Sequence, residues 1–330
     1  MLPVDAPPPG HDLAAGGPPA LPLPAPAPEK SALAFFLLVL ALYATLGTLA
    51  QARSRLFGFA WSETFTLLVP SLAVAAGSNL RPGRALLLAR RPRAAALALA
   101  LLVGAASSFG ADALMALEAL VLPSRFVAAF DLSSLFTSGS PFSRVALALG
   151  AAVLAPFCEE AAFRGWVLCA LRSRHRDKAA VAASALFFAV MHLDPVRLPA
   201  LLALGALYGW LCLRAGSLWP SFLAHFANNA LGVVLIVASR PHLPPPAGAG
   251  AAEASTAALV LLASASVLYP LLVAYRRATP SPPPPLSEAL VRADPADPST
   301  DFRFERLPRS LLVAMVAGAV ALALLLARPS

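Results

Sequence analysis

Residues 144–176 read RVALALGAAVLAPFCEEAAFRGWVLCALRSRHR. The run is long and apolar enough to cross a bilayer, which takes about 20 such residues. Yet Glu159, Glu160 and Arg164 interrupt it. A charged side chain at the centre of a bilayer costs about 3 kcal/mol or more, so it is expected to face a polar interior with partners and to mark a functional site.

Working outward, the whole chain has the same character. Of 330 residues, 58% are hydrophobic and 13% charged, with a mean hydropathy of +0.73. Soluble domains carry about 25% charged residues, so composition points to an integral membrane protein of many spans. The net charge of +8 does not point to nucleic acid, because the arginines cluster in short loops between apolar runs, where membrane orientation requires them. Cys158, Cys169 and Cys212 lie in apolar stretches without a CxxC pair, which argues against a disulfide framework or a zinc knuckle.

Apolar runs predict spans near 31–50, 63–79, 94–114, 144–171, 179–196, 198–213, 217–238, 255–274 and 310–327. No strand-like alternation appears, so the expected fold is an all-α, polytopic transmembrane bundle of about 8–9 spans, with its working core in the middle four. The Pro/Ala-rich residues 1–30 read as a disordered tail without the pattern of a cleavable signal. Residues 31–275 form the membrane domain, 276–309 a charged Pro-rich linker, and 310–330 a C-terminal transmembrane helix. Loops facing one side hold Arg81 to Arg93, then Arg172 to Lys178, then Arg214, then Arg276 onward. The opposite loops balance Arg125 and Arg197 against acidic neighbours, which predicts a cytoplasmic N-terminus.

Of five histidines, His11, His175 and His242 fall in polar loops, whereas His192 and His225 fall in apolar spans. His225 and Asn229 are four residues apart, hence on one helical face. Glu159 lies 13 residues from Arg172, His192 14 from Lys178, and His225 11 from Arg214. These spacings are about 20, 21 and 17 Å at about 1.5 Å per residue. Three spans thus bring their rare polar groups to one level, where independent placement would scatter them over a core about 30 Å thick.

A carboxylate beside an imidazole can take a proton from water and later return it to a leaving amine. A second imidazole and an amide can donate to the oxyanion of a tetrahedral intermediate. Glutamate with two histidines also meets the ligand count of a catalytic zinc site with one position left for water. Both routes lead to hydrolysis of an acyl bond inside the membrane.

The ordered segments Glu159-Glu160-Ala-Ala-Phe-Arg164, Phe188-Ala-Val-Met-His192 and His225-Phe-Ala-Asn-Asn229 resemble the motifs EExxxR, FxxxH and HxxxN. These mark the CAAX-protease and bacteriocin-processing (CPBP, or Abi) family of intramembrane proteases. The resemblance covers about 144–240, and Gly165 and Gly216-Ser-Leu-Trp219-Pro-Ser match as well. It implies that Glu159 activates water with His192 while His225 and Asn229 hold the oxyanion. Glu160 and Arg164 would organise the site through a buried ion pair, with Phe188 in support. It leaves a bound zinc, on Glu159, His192 and His225, as one option and metal-free water activation as the other.

The substrate implied is a protein with a membrane-proximal or lipid-modified C-terminus. The Ala/Arg/Pro-rich composition suggests a bacterium of high-GC DNA, hence an inner-membrane location and substrates other than prenylated proteins. The architecture resembles the myxosortase-like branch, thought to process C-terminal sorting helices. Two other classes compete: a non-catalytic bacteriocin-immunity or binding protein, and an ion-coupled transporter whose buried carboxylates carry the coupling. Against the transporter stands the lack of a second copy of the Glu-Glu segment, since transporter folds commonly carry internal repeats. Cys158 and Glu159, adjacent on a helix, point about 100° apart, so a cysteine nucleophile in the same cavity is not expected. Glu63, at the start of its expected span, reads as interfacial.

Overall fold

Two prolines, Pro70 and Pro156, stand inside long apolar runs, where a proline lacks the N–H of the helical ladder and crowds the carbonyl one turn before it. In the computed structural model, which describes residues 29–77, 82–239, 250–279 and 309–327, both helices continue through the proline. Each does so by widening into a π-helical turn just before it, over Glu63–Leu68 and Gly150–Leu154. A wider turn re-spaces the ladder around the missing donor, and such turns recur at functional sites. A further one, Ala161–Val167, follows the two glutamates directly.

The long helices are α1 (Ser31–Arg53), α2 (Arg55–Gly77), α3 (Ala94–Val121), α4 (Pro141–Arg172), α5 (Asp177–Met191), α6 (Leu198–Ala215), α7 (Trp219–Ser239), α8 (Ala251–Ala278) and α9 (Arg309–Ala327). No strand occurs among the described residues. Seven of these helices are long and apolar enough to span a bilayer, so the chain is a multi-pass helical bundle. One of the nine expected spans is shorter. Helix α5 has 15 residues, about 22 Å, because the apolar run 179–196 is broken by a turn at its end. Helix α9 runs over Arg309–Ala327, 19 residues, as the expected span 310–327 requires. Helix α2 begins at Arg55 rather than near 63, so Glu63 lies well inside it and is 3% exposed. This corrects the interfacial placement of that residue. The expected tail and linker lie outside the described residues except at their edges, and α8 runs through Arg276 and Arg277 to Ala278.

The bundle has an apolar surface and an apolar core in which a few polar side chains are set. Leu37, Leu102, Leu149 and Leu262 are exposed, whereas Ser107, Ser184, Ser221 and Arg164 are buried, the arrangement lipid solvation favours. Helix α3 packs against both α7 and α8. The crossing with α7 is close enough that a Cβ on Gly104 would lie 2.0 Å from the Ala224 carbonyl oxygen, and membrane helices use small residues at such contacts. Helices α5 and α6 form a hairpin. At the far end of α6, Gly216 adopts the left-handed conformation (φ 58°), and the Ser217 N–H reaches back to Cys212 O at 3.2 Å, closing the helix as a Schellman-type turn does. The turn into α7 is stitched to residues 87–90: Leu218 N–H donates to Leu87 O (3.0 Å), Trp219 Nε1–H to Leu88 O (3.0 Å) and Ser217 Oγ–H to Arg90 O (2.7 Å). The C-terminal α9 docks on α2, where Trp61 Nε1–H donates to Gly318 O at 2.8 Å.

Candidate active site

The middle of α4 carries Glu159 and Glu160, and the π-helical turn after them carries Arg164. One turn of helix separates Glu160 from Arg164, so their side chains meet on one face. Arg164 Nη1–H donates to Glu160 Oε1 at 2.8 Å with both side chains fully buried. Its Nη2–H donates to the Gly205 carbonyl of α6 at 2.9 Å, and its guanidinium lies 4.4 Å from the centre of the Phe188 ring. A glycine serves at 205 because the helices nearly touch there: an added Cβ would sit 3.0 Å from Ala185 Cα of α5. Cys158 is packed in the apolar core with Phe163 and Phe188.

Glu160 also faces α7. His225 Nδ1 lies 3.1 Å from Glu160 Oε1, and because a carboxylate paired with arginine accepts, Nδ1 carries the hydrogen. The His225 ring stacks on Tyr208 at 4.8 Å and meets the edge of Phe188 at 5.7 Å. Four helices, α4 to α7, therefore hold one densely bonded group.

Glu159 differs. Its Oε2 has no hydrogen-bond partner. It lies 3.6 Å from His225 Nε2 and 3.9 Å from His192 Nε2, beyond hydrogen-bonding distance. His192 closes α5, with Nδ1 2.8 Å from the Phe188 carbonyl oxygen, so Nδ1–H donates and Nε2 presents its lone pair toward Glu159. The side chains of His192 and Glu159 are 21% and 12% exposed, against none for Glu160 and Arg164, which identifies this edge as the one reached from outside. The turn after His192 is sharp. Leu193 has φ 52°, a strained conformation for a branched residue. Asp194 accepts the N–H groups of Val196 (2.9 Å) and Arg197 (3.1 Å) and bonds Arg197 Nε–H at 2.6 Å.

The structure thus brings together Glu159, Glu160, Arg164, Phe188, His192 and His225. Asn229 stands one turn along α7 from His225, with an amide hydrogen on Ala151 O (3.0 Å) in the π-helical turn of α4. Two further residues that the sequence did not assign to the site border it. Tyr208 is fully buried against His225 and Arg164. Glu63 on α2 is buried with Oε2 unpartnered. A tyrosine 11 residues after the turn that ends at Arg197, or a glutamate seven residues before Pro70, was the available signal.

Tetrahedral zinc with bonds of about 2.0–2.1 Å spaces its ligands about 3.3–3.4 Å apart. The gaps of 3.6 and 3.9 Å are wider. Among the described residues no group of three or more His, Cys, Asp or Glu side chains is arranged to hold an ion. As placed, Glu159, His192 and His225 do not fit a preassembled metal centre.

Residues 141–231 match the family model described as type II CAAX prenyl endopeptidase Rce1-like. The match runs from the start of α4 into α7 and contains all three motifs, consistent with the CPBP resemblance. Over that segment this multi-pass membrane protein is similar to the Rce1-like type II CAAX prenyl endopeptidases. No curated protein and no solved structure matches the chain.

Proposed function

We propose that the protein is an intramembrane endopeptidase that hydrolyses a peptide bond of a membrane-anchored or C-terminally modified protein, using water activated by Glu159. The observation that carries this reading is the gap around Glu159 Oε2, bounded by two imidazole Nε2 atoms within an Rce1-like segment. Polar contacts beyond about 3.5 Å are commonly bridged by water. A water held between Glu159 Oε2 and His192 Nε2 gives its proton to Glu159, and its oxygen attacks the scissile carbonyl.

The oxyanion falls to His225 and the second amide hydrogen of Asn229. With Nδ1–H already on Glu160, His225 donates from Nε2 as the doubly protonated ring. Glu159 then passes its proton to the leaving amine, so the products are one new carboxylate and one new amine. Glu160 and Arg164 hold His225 and α5 in place. The distribution of basic loops supports a reading with the N-terminus on the cytoplasmic side of an inner membrane.

Purified protein in lipid nanodiscs, given a panel of tail peptides with and without lipid modification, tests the reading. Cleavage by wild type but not by Glu159→Gln supports it. Equal turnover by both removes it, and a biological effect retained by Glu159→Gln points to the binding-protein alternative.

A further inference from the structure

Arg197 stands near the site with hydrogen-bonding capacity that the reaction above leaves unused. It belongs to the turn that begins with His192. Asp194 engages only one corner of the guanidinium, at Nε (2.6 Å), while also accepting the Arg197 backbone N–H. That double grip fixes the stem. The two terminal nitrogens meet no protein partner among the described residues, and the side chain is 30% exposed where its Asp194 partner is 3% exposed. A guanidinium held by Nε and open at both Nη groups presents the end-on fork that matches a carboxylate in two parallel bonds.

The level of Arg197 limits what reaches it. Arg197 is 17 residues from Arg214 at the far end of α6, and Glu159 is 13 from Arg172 at the same end of α4. At about 1.5 Å per residue the two stand about 26 and 20 Å from that end, a difference of about 6 Å. An extended peptide crosses that distance in about two residues.

We infer that Arg197 is a specificity-determining residue that binds a carboxylate of the bound peptide, about two residues from the scissile bond. This rests on the reading that the site takes a peptide, and it adds which anion fixes the register. The carboxylate is either the free C-terminus or an acidic side chain, and the guanidinium fork serves both.

The test is binding, so it does not depend on turnover. Wild type, Arg197→Gln and Arg197→Lys in zwitterionic nanodiscs are titrated with an N-acetylated apolar tripeptide as free acid, as C-terminal amide, and as amide with one residue replaced by Asp. Wild type is expected to bind one of the two carboxylate peptides about ten- to a hundredfold more tightly than the plain amide, the range for a charge-assisted pair. Which one it prefers assigns the source. Arg197→Gln abolishes that margin and leaves the amide's affinity unchanged, a split that a merely structural loss does not produce. Arg197→Lys keeps part of it.

No margin in wild type, or an equal margin in Arg197→Gln, overturns the inference. So does loss of the margin when anionic phosphatidylglycerol is added, which would make Arg197 a lipid headgroup site. Cleavage assays on the same samples separate the two claims. A carboxylate margin without hydrolysis sinks the protease reading alone, and hydrolysis without a margin sinks this one alone.

Discussion

The two adjacent glutamates of α4 divide the site into a closed half and an open half. Glu160 is fully buried, bonded to Arg164 at 2.8 Å and facing His225 at 3.1 Å. Glu159, one residue earlier, is partly exposed and lies 3.6 and 3.9 Å from two imidazoles with no bond to either. Neighbours on a helix point about 100° apart, so the same backbone turns one carboxylate into the packed interface with α6 and α7 and the other to the edge near His192. The lesson is a division of labour: the bonded half holds helices in register, and the unbonded half keeps acceptors free for a reacting molecule.

If that division is right, the largest effect comes from Glu159. Glu159→Gln keeps the size and removes the base, so turnover should fall about 10²–10⁴-fold. The thermal unfolding midpoint should hold or rise, because the variant loses an unpaired carboxylate and no hydrogen bond. A drop in both activity and stability would show that Glu159 belongs with the structural half.

Arg164→Met tests the other half and should act in the opposite way. Removing one member of a buried ion pair typically costs about 3–5 kcal/mol, read as a lower unfolding midpoint in detergent. The double variant Glu160→Gln/Arg164→Met should recover part of that loss, since it leaves no uncompensated charge. If the double variant is no better than the single one, Arg164 is held by Gly205 and the Phe188 ring rather than by its charge.

Gly104→Ala asks how far the two halves depend on helix spacing. The new Cβ would stand 2.0 Å from the carbonyl of Ala224, the residue before His225, so α7 must move away from α3. Overpacking of this kind costs about 1–3 kcal/mol, and a displacement near 1 Å of a catalytic group costs about 10²-fold in rate. Unaltered kcat with lowered stability would place the compensating shift in α3.

Much of this was legible in sequence for one reason: charges are rare in lipid-solvated segments. Glu159, His192 and His225 stood out against apolar runs, and residue counts from the basic helix ends put them at one depth. What escaped has equally physical causes. Span edges were drawn where hydropathy begins, and Arg55–Ser62 is too mixed to register, so Glu63 was taken for a helix start. The run 179–196 was counted through a turn whose geometry depends on a left-handed Leu193 and the Asp194 side chain, neither of which alters hydropathy. Tyr208 is indistinguishable by sequence from a packing aromatic, because its role is a ring stacked on a histidine from another helix. The π-helical turns were hinted at only by Pro70 and Pro156.

The smallest effect is expected from metal removal. The open half is wider than zinc requires, with gaps of 3.6 and 3.9 Å against about 3.3–3.4 Å between tetrahedral ligands, a space better matched by water. Protein dialysed against a chelator such as 1,10-phenanthroline should therefore keep its turnover within about twofold, a change below about 0.4 kcal/mol in the barrier. The control is the same protein with zinc added back, which should gain nothing. Loss on chelation followed by recovery with zinc would mean that Glu159, His192 and His225 close by a few tenths of an ångström around an ion. In that case the unbonded state of Glu159 is the apo form of a metal centre, and the contrast with Glu160 becomes one between a ligand and the group that orients it.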